Sequence, residues 1–243
     1  MTTLTISKQT FFNNGNLILP CLTDKAGTLI ETGIRTWLCQ DYDIITKVHT
    51  EKGISYIGYD ATDVNKKLRE QMDSIVGIHK ETHIEYGALF HDTKKGFDFS
   101  LYDEQYNYRI LRNAFMGYPG RYNGNVELVK LHKPLKLIKT EWERMIADMG
   151  GTPGENLDED KNCMTIVGEL QFGNWALVKH DLLRLLNSSE SLPIDFYVYI
   201  APTGELESKL SKGIVTYDKV IDAVMENKRI IKTPMWIIGL DIA

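Results

Sequence analysis

The chain has 243 residues, 43% of them hydrophobic and 25% charged, which is enough for one large domain or two small ones around a substantial core. No run approaches the roughly 20 apolar residues that span a bilayer, and "MTTLTISKQT" lacks the basic region and apolar run of a secretory signal. The net charge of −5 argues against a uniformly basic nucleic-acid binder, though a basic cleft can sit on an acidic body.

Residues 1 to 58 mix short apolar runs with Gly and Asn turns, as in "FFNNGNLILP" and "EKGISYIGYD", and read as strands and loops. Residues 62 to 80 read as a helix, because Val64, Leu68, Met72, Ile75, Val76 and His79 recur at helical spacing. Thr62 is the candidate cap. Residues 100 to 116 read as a second helix, with Tyr106, Ile110, Leu111, Ala114 and Phe115 on one face. "MGYPGRYNGN" breaks the chain. Residues 140 to 149 read as a short helix, since Thr140 and Glu143 have capping-box spacing. "GGTPGENLDEDKN" then reads as an acidic loop.

The last third has a clearer pattern. "CMTIVGELQF", "IDFYVYIA" and "TPMWIIGLDI" read as strands. "WALVKHDLLRLLNSS" and "TYDKVIDAVMENK" read as helices, and "GELESKLSKG" as a short helix or turn. Alternation of strand and helix points to an α/β layer. Three scattered cysteines, Cys21, Cys39 and Cys163, argue against a disulfide framework and suit a reducing cytoplasm.

"GELQFGNW" is the stretch that carries chemistry. In a strand, Glu169 and Gln171 share one face, and Leu170 and Phe172 share the other. A carboxylate and an amide, with the Leu170 carbonyl between them, form a hard-oxygen set suited to Mg²⁺ or Ca²⁺ rather than zinc. Mg²⁺ calls for a second acid. Asp160 lies nine residues upstream, where a turn would bring it back; Asp158 and Glu159 compete with it. The plain alternative is that Glu-x-Gln is the wet face of an edge strand.

"IVGELQFGNW", the following helix, "IDFYVYIAPTGELESKLSKGIVTYDKVIDAVMENK" and "TPMWIIGLDIA" together resemble the BglII and BstYI type of restriction endonuclease. The resemblance covers about residues 158 to 243. It implies an α/β fold of the PD-(D/E)XK restriction-endonuclease-like kind: a central mixed sheet flanked by helices, with N-terminal additions. It further implies one nuclease domain over 1–243, in which about 1–150 is the variable part and about 151–243 the catalytic core.

The implied activity is that of a Type II site-specific deoxyribonuclease using Mg²⁺ to hydrolyse double-stranded DNA. Gln171 stands where the class usually has Lys. Spacing in the family pattern selects Asp160 over Asp158 as the metal-binding acid, although Glu159 stands where a Pro is usual. The implied catalytic residues are Asp160, Glu169 and Gln171, and the implied metal ligands are Asp160, Glu169 and the Leu170 carbonyl. Base-reading positions carry over to Asn174, Ser211 and Lys212, whose side chains suit adenine, either base, and guanine. The structural alternative is that Asn174 caps the next helix and Ser211 and Lys212 form an ordinary exposed turn. A short palindrome, with GATC as the candidate centre, implies a homodimer. A cognate DNA methyltransferase follows as functional partner, and the cytoplasm as location, with no membrane contact.

Other signals are weaker. His79 and His83 in "HKETH" are four apart but lack the HExxH order and a third ligand. "GGTPG" lacks the Gly-Lys-Ser/Thr of a phosphate loop. The aromatic residues between 86 and 122 read as core, and Cys163 has no evident activating base.

Overall fold

The chain builds its sheet from both of its ends. The computed structural model describes residues 1–51, 53–91, 96–125, 127, 154–158 and 160–243. The helix expected at 140–149 lies outside the described residues, as does Glu159. Among the described residues, eight strands form the main sheet: β1 (Thr2–Phe12), β2 (Asp41–Tyr42), β5 (His79–Glu85), β6 (Ala88–His91), β7 (Phe97–Leu101), β8 (Ile166–Leu170), β9 (Phe196–Pro202) and β10 (Met235–Ile242). Their order is β2-β1-β10-β9-β8-β7-β5-β6. The β8–β9 and β9–β10 pairs are parallel and the others antiparallel, so the sheet is mixed. A separate hairpin pairs β3 (Thr46–Glu51) with β4 (Ile54–Tyr59).

Helices cover both faces. Among the described residues the α-helices are α1 (Gly15–Ile18), α2 (Ile30–Leu38), α3 (Ala61–Glu70), α4 (Glu104–Met116), α5 (Leu177–Ser191), α6 (Gly204–Lys209) and α7 (Tyr217–Asn227). Strand β9 shows why its sequence is apolar throughout. Phe196, Val198 and Ile200 enter one core with α2 and α3, while Tyr197, Tyr199 and Ala201 enter the other with α5 and α7. A parallel strand covered on both faces has no wet side, so polar alternation disappears.

The strand and helix readings of the last third agree with this fold. Four readings are corrected. Residues 1–58, expected as strands and loops, also hold helices α1 and α2, the latter burying Ile30, Ile34, Trp37 and Leu38 at helical spacing. The helix expected over 62–80 ends at Glu70, and His79 and His83 lie on β5. The helical period does run on to His79, but the chain leaves the α-helix at Gln71, tightens into a 3-10 turn over Met72–Ser74 and turns again at Gly77, φ +81°. The cap of α3 is Asp60, which accepts from the Thr62 amide at 2.9 Å, so Thr62 is the capped residue. The helix expected from residue 100 begins at Glu104, because Ser100 and Leu101 belong to β7 and Asp103 caps α4 by accepting from the Gln105 and Tyr106 amides.

Candidate active site

β8 is a central strand, with β7 on one side and β9 on the other. Glu169 is therefore buried, at 3% exposure, and the wet-edge alternative does not hold. Its neighbour Gly168 is dictated by packing. Phe99 of β7 lies opposite, and a Cβ on residue 168 would stand 2.1 Å from the Phe99 ring.

Three acids meet around this strand end. Asp98 of β7 accepts from the Leu170 amide at 2.6 Å. Asp181 of α5 accepts from the Tyr199 hydroxyl at 2.9 Å and from Gln171 Nε2 at 3.3 Å. Glu169 sits between them, and burial first, then the charges of Asp98 and Asp181, push its carboxyl well above the usual range. Burial raises Asp98 to about 6 against the pull of Arg69. Asp181 is raised as well, again mainly by burial.

Two guanidiniums answer these acids from opposite faces of the sheet. Arg69 of α3 donates to Asp98 Oδ1 and to Glu81 Oε1. Glu81 falls opposite Asp98 in the β5–β7 ladder, between the pairs Lys80–Phe99 and Thr82–Phe97. It takes φ +51°, a left-handed conformation uncommon for a residue with a Cβ and enriched at functional sites. Arg184 of α5 donates from Nη1 to Glu169 Oε1 at 2.5 Å and to the Gly96 carbonyl at 2.7 Å.

The expected residues divide into two groups. Glu169, Leu170 and Gln171 come together at this centre, though Leu170 meets Asp98 through its amide. Asp160 is not brought to them. It is exposed, in the segment that enters β8, at the end of the strand away from Glu169. That segment is pinned there by Asp195, which takes Lys161 and the Thr165 amide just before β9 begins. The acids that act on Glu169 are Asp98 and Asp181. Both were missed from sequence, as was Arg184. Asp98 and Arg184 show the anomaly that flagged Glu169, a charge set inside an apolar run, "FDF" and "LLRLL"; Asp181, preceded by Lys179 and His180, does not.

Among the described residues, no three His, Cys, Asp or Glu side chains form a metal-binding group. The donor set that does fit a hard cation is Asp98 and Glu169. These are two buried carboxyls on adjacent strands; Asp98 raises the affinity of Glu169 for a proton, and a divalent ion between them would relieve that repulsion.

Gln171 joins the centre to the loops beyond the strand. Its Nε2 faces Asp181, and its Oε1 accepts from the Gly173 amide at 3.1 Å. Loop 173–175 is clipped to loop 213–215: the Val215 amide donates to Gly173 at 2.7 Å and the Trp175 amide to Gly213 at 3.1 Å. This brings Asn174, Ser211 and Lys212, all exposed, around one open concavity of about 450 Å³. Asn174 also accepts from the Ala176 amide at 3.0 Å in a turn ahead of α5; it does not cap that helix, as its structural alternative had it, because the N-cap is Ala176. A second concavity of about 620 Å³ continues from Ser211 and Lys212 toward Tyr56 of β4.

No helix among the described residues is long and apolar enough to cross a membrane. No curated protein matches the chain. Among solved structures it is similar to restriction endonuclease BglII complexed with a DNA 16-mer, with TM-score 0.48 and 10% identity over 96% of this chain and 75% of that one. It is also similar to free BglII, with TM-score 0.45 and 9% identity over 97% and 78%. The family model described as restriction endonuclease BglII/BglIII matches residues 42–240, which include every residue of the centre and both clipped loops. The chain belongs to the BglII/BglIII family of restriction endonucleases, Type II site-specific enzymes.

Proposed function

We propose that the chain is a homodimeric, Mg²⁺-dependent endonuclease that cuts double-stranded DNA at a short palindrome, with GATC as the candidate centre. The observation that carries this reading is the pairing of Asp98 with Glu169 on adjacent strands, at the sheet end from which the Asn174 and Ser211–Lys212 loops project. In open α/β sheets, ligands bind beyond the carboxyl ends of parallel strands, where these loops lie.

Asp98 and Glu169, with the Leu170 carbonyl, would hold Mg²⁺, and Asp98 takes the place expected for Asp160. Mg²⁺ in such a site lowers the pKa of a water and offsets charge on a phosphoryl oxygen. The protein's part is to hold the two carboxylates and to aim the substrate. Gln171 fixes the loop frame through Gly173 and orients Asp181. Asn174, Ser211 and Lys212 read base edges. Hydrolysis forms a phosphorus–oxygen bond to water and breaks the one to the sugar oxygen, which leaves with a proton. Two copies of the chain would meet the two half-sites of a palindrome. A DNA methyltransferase of the same specificity would protect the host.

A digest of unmethylated phage DNA, with Mg²⁺ and with chelator, tests this. Discrete fragments in Mg²⁺ alone are the expected result. A smear, or cutting in chelator, would refute it.

A further inference from the structure

Cleaving a phosphodiester loads negative charge onto the phosphoryl oxygens, and a preorganised positive group aimed there is worth about 10²- to 10³-fold in rate. A divalent ion between Asp98 and Glu169 has its charge largely matched by theirs. Gln171 adds none, and its amide is engaged at both ends by Gly173 and Asp181. The side chain that does bring charge to the Glu169 carboxylate is Arg184. Its Nη1 is fixed by Glu169 and the Gly96 carbonyl, and its Nη2 lies 3.1 Å from His180 Nδ1 and 3.6 Å from Asp181 Oδ1. It is 23% exposed, while Glu169 and Asp181 are buried behind it, so the guanidinium stands between the acids and solvent. Arg69 approaches from the helix on the other face and is spent on Asp98 and Glu81.

We propose that Arg184 is the phosphate-side cation of this centre: it holds Glu169 in the free protein and turns its guanidinium to the scissile phosphate when DNA is bound. The inference rests on the nuclease reading above. A planar guanidinium with five donors suits both partners, since it can keep Asp181 while addressing a phosphate with a parallel pair of hydrogen bonds.

Three variants test it: Arg184→Gln, Arg184→Lys, and Gln171→Lys combined with Arg184→Gln. Position 171 already touches Asp181, so a lysine there returns positive charge to the same place. The readouts are single-turnover cleavage in Mg²⁺, DNA affinity in chelator, and the thermal midpoint. Arg184→Gln is expected to cut about 10²-fold more slowly or worse, with DNA affinity in chelator within about threefold of wild type, while Arg184→Lys falls between. The double variant is expected to regain about tenfold or more over Arg184→Gln. A folded Arg184→Gln that cuts at the wild-type rate overturns the proposal. So does a double variant no faster than Arg184→Gln, which would leave Arg184 a purely structural hold on Glu169. If Arg184→Gln alone does not fold, the double variant decides: cleavage supports the proposal, and an inactive folded protein overturns it. A wild-type protein that does not cut removes the nuclease reading and this one with it; a wild type that cuts isolates Arg184.

Discussion

Replacing Asp98 by Asn should remove cutting and strengthen the metal-free fold. Asn keeps an oxygen for the Leu170 amide, so the 2.6 Å hydrogen bond has a substitute acceptor. What it deletes is a buried negative charge. Asp98 is raised from 3.8 to about 6, with the favourable pull of Arg69 already included. A carboxyl whose folded pKa exceeds its unfolded one binds its proton more tightly when folded. Its contribution is fully present below about pH 4 and is lost as pH rises through about 6. Two units correspond to about 3 kcal/mol, and part of the gain is offset because Arg69 is left with Glu81 alone. The expectation is that Asp98→Asn is more stable than wild type by about 1–3 kcal/mol at pH 8 in chelator. The difference should shrink toward zero near pH 4. Urea denaturation at the two pH values measures it. On the same preparations, cleavage in Mg²⁺ should fall by about 10³-fold, while Asp160→Asn cuts as wild type. An Asp98→Asn protein that cuts normally, or an Asp160→Asn protein that does not, would refute the assignment of the second acid. A variant less stable than wild type at pH 8 would refute the electrostatic account of the site.

Further expectations concern the same strand and its loops. Glu169→Gln should abolish cleavage with the melting temperature preserved; Glu169→Ala is the poorer test, since it leaves the buried Arg184 contact unpaired at a cost of about 1–3 kcal/mol. Residual cutting near wild type in either variant would remove Glu169 from the centre. Gly168→Ala drives a methyl group into the Phe99 ring and should destabilise by about 1–3 kcal/mol in a denaturant titration; an unchanged midpoint would mean the strands yield easily there. Asn174→Ala and Lys212→Ala should each cost about 1–3 kcal/mol of preference for the cognate site. Competition with non-cognate DNA reads that out, and unchanged discrimination would leave both residues as turn residues.

The strands of the last third were legible because β8, β9 and β10 are buried runs of apolar residues, and a buried strand writes its character into consecutive positions. Glu169 was legible as an exception to that run. Its partner was not. Asp98 lies 71 residues earlier in the chain and becomes a neighbour only when β7 pairs with β8 across everything between them. Spacing along the chain favoured Asp160, but adjacency in the ladder is a tertiary fact. β5 was hidden for a related reason. "HKETHIE" has no strong alternation, and its left-handed Glu81 breaks the period of two that marks a strand. Arg184 stands in the apolar run "LLRLL" of a predicted helix, but only the packing of α5 on β8 shows that it meets Glu169.

The clip between the two loops bears on how sequence preference can change. Residues 173–175 and 213–215 are bound backbone to backbone, so Asn174, Ser211 and Lys212 ride on one frame rather than on two independent arms. Lengthening either loop would shift the other with it and, through the Gln171–Gly173 contact, disturb the strand that carries Glu169. New preferences should therefore arise by exchanging side chains on a fixed frame rather than by swapping loops. Substitutions at 174 and at 211–212 should also be non-additive, because they share that support.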